Sequence, residues 1–331
     1  MEFAGEEDEF AALEAGTAAA GVDVVAPGVA VADAVAVDRV PGLAYTRTAL
    51  DLLGRTDADP RSARAVVDAA EIDRSRDDTV AVRARVVRDS ADVSTGDAER
   101  ACGAALTDRG FSVDLDDPDH VLRVLFAADT CLVGWVAAES VRDFADRKPT
   151  DRPFFQPGSM APMDARAYAN LAGAGPDARI VDPMCGTGGV LIEAGLVGSD
   201  VVGNDAQRKM VRGARENLAH YLSGDADRAA HAADHAVVRG DATALGLRDD
   251  VADGVVFDAP YGRQSKIETH RLEDLVAGAL REAARIAPRG VLVADRSWRE
   301  AAVDAGWTVT DTFERRVHRS LVRYVHVLER E

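Results

Sequence analysis

From Gly175 onward, short β-branched runs alternate with helical stretches, and this alternation constrains the fold more than any other feature of the chain. Consecutive strands joined by crossover helices must lie parallel, so the pattern demands an α/β domain whose helices cover its sheet. The runs Arg179–Asp182, Val201–Asp205, Ala236–Arg239, Gly254–Asp258 and Gly290–Ala294 read as strands. Helices fall between them, Gln207–Tyr221 and Leu272–Ile286 among them. Two last runs, Trp307–Val317 and Leu321–Leu328, follow without an intervening helix, which predicts an antiparallel hairpin closing the sheet.

Ahead of this region the pattern is α+β. Glu7–Ala20 reads as an alanine-rich helix, Val22–Val37 as short strands broken at Pro27-Gly28, and Leu43–Leu53 as a strand-to-helix passage. Thr79–Val87 alternates apolar and polar residues with the period of a half-buried strand. Ser94-Thr95 supplies a helix cap for a helix running to about Asp108. Val113–Asp119 reads as a turn before the strand-like runs Val121–Ala127 and Thr130–Ala137. The charged, proline-broken stretch Asp146–Pro153 reads as a linker, and Asp164–Ala172 as a helix.

Composition matters where it excludes classes. No stretch approaches the roughly 18–20 uncharged apolar residues that span a bilayer, and the acidic start Met1–Asp8 lacks the positive region of a secretory signal. The three cysteines (Cys102, Cys131, Cys185) form no C-x-x-C pair, so neither a disulfide framework nor a metal site is expected, and a reducing cytoplasm is. The net charge of -18 runs against nucleic-acid binding in general. Yet Lys148, Lys209 and Lys266 are the only lysines among 39 basic residues, and aspartate is spread through every segment. That composition suits the salt-loaded cytoplasm of a halophile, where screening acts over about 3 Å at molar salt, and local arginines can still hold phosphate.

Ile180–Gly189 is a strand running into the turn Asp182-Pro183-Met184-Cys185-Gly186-Thr187-Gly188, which opens a helix. Glycines there let backbone approach a ligand closely. The third position of a dinucleotide fingerprint is Leu191, which speaks against an NAD-dependent oxidoreductase. An acid at the strand end suits a cationic ligand such as the methionine moiety of S-adenosylmethionine, with Asp182, Cys185, Gly186, Thr187 and Gly188 as its neighbours. Asp205 ends the next strand, where a carboxylate accepts from ribose hydroxyls. Asp241-Ala242 follows the third strand and offers an acceptor for an adenine amine. Gln156, Pro157, Gly158 and Ser159 precede the sheet as a segment placed over a cofactor, the alternative being a packed linker.

Asp258-Ala259-Pro260-Tyr261 ends the fourth strand. An exocyclic base amine is a poor nucleophile because its lone pair is delocalised into the ring. The Asp258 carboxylate and the Ala259 carbonyl can accept its two N–H bonds, Tyr261 can stack on the base, and Pro260 stiffens the loop. The element resembles the Asp/Asn-Pro-Pro-Tyr/Phe motif of amino-group N-methyltransferases, with Ala259 in place of the first proline.

Over nearly its whole length the chain resembles the archaeal tRNA (guanine-10 N2) methyltransferases. The carrying residues are the glycine turn, Asp258–Tyr261, Arg152–Met160, Val317–Leu321, the Val80–Arg85 strand, Ser94-Thr95, Gly103, Val113–Leu115, Pro118 and Gly134. The resemblance implies a class I (Rossmann-like) methyltransferase domain at 156–331, a linker at 146–155, an RNA-binding THUMP domain at 76–145 and a ferredoxin-like domain at 1–75. It also implies S-adenosylmethionine as cofactor, guanosine 10 of tRNA as target, and a small zinc-binding activator protein that pairs with some members. Arg83, Arg85, Arg88 and Arg263 are candidate RNA contacts, against a merely solvated face. Rival readings are a ribosomal-RNA or DNA amino methyltransferase and a non-catalytic RNA-binding protein. Loss of Asp258, Tyr261 or the glycine turn would mark the latter, and all are intact.

Overall fold

The computed structural model describes residues 1–223, 233–261, 269–318 and 321–330. Two compact units divide it, Met1–Val141 and Arg142–Glu331.

In the first unit the strands are β1 (Glu2–Phe3), β2 (Ala19–Ala20), β3 (Asp23–Ala26), β4 (Val29–Val31), β5 (Ala34–Val35), β6 (Thr46–Asp57), β7 (Thr79–Val86), β8 (Ser112–Val113), β9 (His120–Ala127) and β10 (Thr130–Glu139). Helices α1 (Asp8–Ala15), α2 (Pro60–Ala69) and α3 (Thr95–Asp108) lie between them. Eight strands form one sheet in the order β3-β4-β1-β6-β10-β9-β7-β8, so the N-terminal strands and the Thr79–Glu139 region share it. Strands β7 and β9 pair in parallel, with α3 in the crossover. Ala63 and Val67 of α2 and Cys102 and Leu106 of α3 bury themselves with Val80, Leu122, Val124 and Trp135.

Two expectations are corrected here, and one element appears that the pattern did not announce. The alanine-rich helix stops at Ala15, and Ala19-Ala20 pairs as a strand with β5, the chain having turned at Gly16. Leu43–Leu53 holds no helix; Thr46–Asp57 is one long strand paired with β1 and β10, cross-strand pairing overriding the helix propensity of Ala49–Leu53. Helix α2 goes unannounced by periodicity, although Asp59 caps it by accepting from the Arg61 and Ser62 amides at 2.8 and 3.1 Å, with Pro60 in its first turn. The Ser94 cap on α3 forms as expected, its hydroxyl accepting from the Asp97 amide at 3.2 Å.

The second unit opens with 3₁₀ turns at Phe144–Arg147 and Pro149–Asp151. It continues through α4 (Pro162–Leu171), β11 (Arg179–Asp182), α5 (Gly189–Leu196), β12 (Asp200–Asp205), α6 (Arg208–Leu222), β13 (His235–Arg239) and β14 (Gly254–Asp258). Then come α7 (Thr269–Ile286), β15 (Arg289–Ala294), α8 (Arg299–Asp304), β16 (Thr308–His318) and β17 (Leu321–Glu329). The sheet order is β13-β12-β11-β14-β15-β17-β16, parallel through β15 and antiparallel at β17 and β16. These are the strands the alternation predicts. Leu272, Val276, Leu280 and Ala283 of α7 pack on Val181, Val255, Phe257 and Leu292. Each such aliphatic side chain contributes about 1.5–3 kcal/mol by leaving water. Strand order reverses between β11 and β14, and the crevice beyond such a reversal is where open α/β sheets bind ligands.

Candidate active site

Three acids crowd the carboxyl ends of β11, β12 and β14. Asp182 is buried at the tip of β11, and its Oδ1 accepts from the Met184 amide at 3.0 Å. Asp205, ending β12, accepts from the Gly186 amide at 3.1 Å and the Gln207 amide at 2.8 Å. It thereby ties the glycine turn to the start of α6. Asp258 ends β14, and its Oδ1 is buried without a hydrogen-bond partner. Burial raises the pKa of all three: Asp182 well above the ordinary carboxylate range, Asp205 above it, and Asp258 to about 6.

The turn carries positive φ at Gly186 (51°) and Gly188 (79°), a conformation that strains other L-residues. A Cβ built on Gly186 would meet nothing within 4 Å, so the backbone lies open on that side. Asn204 braces the turn from β12, its amide nitrogen donating to the Pro183 carbonyl at 2.9 Å and to the Gly240 carbonyl at 3.3 Å. Cys185 is buried against Gly203, where a Cβ would lie 2.9 Å from its Sγ.

Residues 152–160 run as a strap across this turn and α6. Asn217, fully buried on α6, donates to the carbonyls of Phe154 and Thr187, both at 2.9 Å, and accepts from the Phe154 amide at 2.8 Å. Ser159 Oγ lies 3.2 Å from Thr187 Oγ1 and donates to the Gln156 carbonyl at 2.7 Å. Lys209 Nζ reaches Gln156 Oε1 at 3.2 Å. Phe154 fills the space over Gly213, where a Cβ would fall 1.9 Å from its ring. Residues 146–153 are no free tether, because Arg147 and Arg152 are both buried and Arg147 pairs with buried Glu193 at 2.8 Å. The strap and the turn therefore come together, with Ser159 of the Gln156–Ser159 stretch beside Thr187.

Asp241 Oδ1 caps its own turn, accepting from Thr243 N and Oγ1 at 2.8 Å each, and these bonds hold its carboxyl below the usual range. Ala242 is buried in the α7 cluster. At the end of β14 the Ala259 amide donates to the Val293 carbonyl at 2.8 Å, leaving the motif's first backbone N–H engaged. The Tyr261 hydroxyl accepts from Arg323 Nε at 2.9 Å, and Tyr261 with Arg323 works against the burial that raises the Asp258 pKa.

Residues 149–324 match the RMKL-like methyltransferase domain model, and residues 61–136 match the THUMP domain. The chain is similar to the tRNA (guanine(10)-N2)-dimethyltransferase of Methanothermobacter thermautotrophicus, 36% identical over 87% of this chain and 83% of that one. The enzyme of the same name from Pyrococcus abyssi is 31% identical over 70% of this chain and 68% of its own. The chain belongs to this family of THUMP-bearing methyltransferases. Among solved structures, TrmN from Thermus thermophilus superposes with a TM-score of 0.48 at 22% identity, covering 94% of this chain and 92% of that one.

Within the family frame, the candidate RNA arginines Arg83, Arg85 and Arg88 each already have a protein partner. Arg88 is engaged by both Asp8 oxygens at 2.6 and 3.1 Å, Arg85 pairs with buried Glu2 at 3.3 Å, and Arg83 donates to the Leu115 carbonyl. Arg263 lies outside the described residues. Sequence reasoning passed over Asn204, Asn217 and Arg323. Asn217 had a signal: it falls on the stripe of α6 that buries Val211, Ala214 and Leu218, where an amide demands partners. Arg323 had none, since a lone arginine in a strand normally reads as a solvated edge residue. Among the described residues no group of metal-ligating side chains forms, and no helix is long and apolar enough to cross a membrane.

Proposed function

We propose that this protein transfers methyl groups from S-adenosylmethionine to the exocyclic N2 of guanosine 10 in tRNA, with catalysis in residues 156–331 and tRNA held by residues 1–145. The observation that carries the reading is Asp258: a buried carboxylate oxygen without a partner, at the strand-order reversal, within Asp-Ala-Pro-Tyr. A buried acceptor without a donor is costly, and a base amine is the donor that fits it.

The residues also fit the cofactor. Three acids that burial pushes towards neutrality, Asp182, Asp205 and Asp258, create a negative potential that a cationic ligand relieves. Gly186 leaves backbone exposed for close approach, and each Asp205 oxygen keeps a lone pair for a ribose hydroxyl beside its amide donor. When bound, S-adenosylmethionine supplies an electrophilic methyl on a sulfonium. Asp258 and the Ala259 carbonyl accept the amine N–H bonds, localising the lone pair on nitrogen, and Pro260 stiffens the loop that carries Tyr261. Asp241 serves the adenine amine, and Thr187 with the Gln156–Ser159 strap excludes water from the turn. Arg83, Arg85 and Arg88 belong to the tRNA-holding half.

We also read the evenly acidic surface, net charge -18, as built for a salt-loaded cytoplasm. The test is methyl transfer from labelled S-adenosylmethionine to an unmodified tRNA transcript in multimolar potassium chloride, with and without a small zinc-binding activator protein. N2-methylguanosine or its dimethyl form that disappears when guanosine 10 is replaced supports the reading. Transfer to another nucleoside, or none in either arm, overturns it.

A further inference from the structure

We propose that Arg323, on β17, is the positioning residue that fixes the Tyr261 hydroxyl against Asp258, and that Asp164 and Arg315 fix Arg323 in turn. The inference rests on the reading of Asp258 as the amine acceptor.

Arg323 is buried, and a guanidinium taken from water is costly unless paired at close range. Its contact with a carboxylate is poor: Nη1 lies 3.9 Å from Asp164 Oδ2, at the limit of an ion pair. The other Asp164 oxygen is held by Arg315 Nη1 at 2.9 Å, and the same nitrogen reaches the Tyr168 hydroxyl at 3.3 Å. Anchoring the terminal hairpin to α4 is therefore already done by Arg315. The short contact Arg323 makes is instead to Tyr261 Oη at 2.9 Å, inside the Asp-Ala-Pro-Tyr element. Since Arg323 Nε is the donor there, the phenol proton is left to point at Asp258. A chain of contacts thus runs Arg315, Asp164, Arg323, Tyr261, from a helix and two strands outside the sequence motif into the element that begins with Asp258.

The arrangement has an electrostatic consequence. Burial and Asp295, just past β15, push the Asp258 carboxyl towards its neutral form, and Asp182 on β11 faces it with the same sign of charge. Arg323 and the Tyr261 hydroxyl act the other way, and Arg323 is the cation among these neighbours. Only the ionised carboxylate accepts an amine N–H at both oxygens. Arg323 therefore keeps the acceptor competent near neutral pH while aiming the aromatic ring beside it.

The experiment follows Asp258 directly. The full chain carrying ¹³C-labelled aspartate is titrated by NMR as wild type, Arg323→Gln and Arg323→Lys, the Asp258 signal being assigned by its loss in Asp258→Asn. Methyl transfer is measured on the same samples across pH. The proposal expects the Arg323→Gln carboxyl to titrate about one unit higher, a tenfold change in its acidity constant. It also expects the low-pH limb of kcat to move by the same amount, the KM for S-adenosylmethionine to stay unchanged, and Arg323→Lys to restore most of the titration shift. A carboxyl that titrates identically in all three chains overturns it. Should Arg323→Gln not fold, Arg323→Lys against wild type still decides. The lysine keeps the charge and so nearly keeps the titration, but it lacks the Nε donor, so kcat at the pH plateau should fall several-fold, and a plateau kcat equal to wild type overturns the positioning role. If wild type methylates no tRNA the functional reading fails, while the NMR titration still judges Arg323 separately.

Discussion

Replacing Asn217 with alanine should uncouple the strap from the glycine turn. The side chain is fully buried and makes three hydrogen bonds of 2.8–2.9 Å, two donated to the Phe154 and Thr187 carbonyls and one accepted from the Phe154 amide. Each bond contributes roughly 1 kcal/mol net, and buried backbone groups left without partners add to the loss. If water reaches half of them, about 3–5 kcal/mol is lost. For a unit the size of Arg142–Glu331 that lowers Tm by roughly 10 °C. Because the bonds hold the strap over Thr187, cofactor affinity should weaken as well. Calorimetry with and without S-adenosylhomocysteine separates the effects: the apo Tm falls, and the ligand-induced rise shrinks beyond what the stability loss explains. An apo Tm within a degree or two of wild type would refute the reasoning, because it would mean that the amide is not organising these backbone groups.

Other expectations follow from single residues. Asp258→Ala should cut kcat by about a thousandfold, as losing a preorganised polar group at the reacting centre does, while isothermal titration finds S-adenosylhomocysteine binding within a few-fold of wild type. His326 is fully buried, its Nε2 accepting from the Trp298 amide at 3.0 Å, and burial pushes its pKa from 6.5 down to about 4. Its stabilising contribution is complete above pH 6.5 and is lost as pH falls towards 4, about 3 kcal/mol at 1.36 kcal/mol per unit; denaturant titrations of wild type and His326→Asn should converge over that window. Ala259→Pro restores the commoner motif yet deletes the N–H that donates to Val293 at 2.8 Å, so urea unfolding should show a loss of about 1–3 kcal/mol. With a net charge of -18, the chain should melt higher in molar potassium chloride than in 0.1 M, where the screening length is about 10 Å.

Most of the catalytic unit was legible because parallel strands buried on both faces leave unbroken apolar runs, and the acids at their ends interrupt those runs visibly. Asp182, Asp205 and Asp258 stand where the strand ends placed them. The first unit was harder, since its short strands carry little periodicity and α2 announces itself only through Asp59-Pro60. What the chain concealed were residues whose meaning is conferred by partners far away in sequence. Asn217 answers Phe154, 63 residues off, and Arg323 answers Tyr261, 62 residues off. Local pattern shows that Asn217 lies on a buried stripe and needs partners, but not which ones, and it shows nothing for Arg323. The arginines chosen on charge alone turned out to be engaged by Asp8, Glu2 and the Leu115 carbonyl.

The sheet order β15-β17-β16 means that the strand made later, β17, slides between two made earlier. Until residues 321–329 leave the ribosome, β15 offers a bare edge of unpaired amides and carbonyls, Val291, Leu292 and Val293 among them, to any neighbouring chain. A message that broke off before that point would encode every cofactor motif in the sequence. It would yield a sticky half-sheet instead of a weak enzyme, so the cell's exposure to damage from incomplete copies rests on nine residues of hairpin.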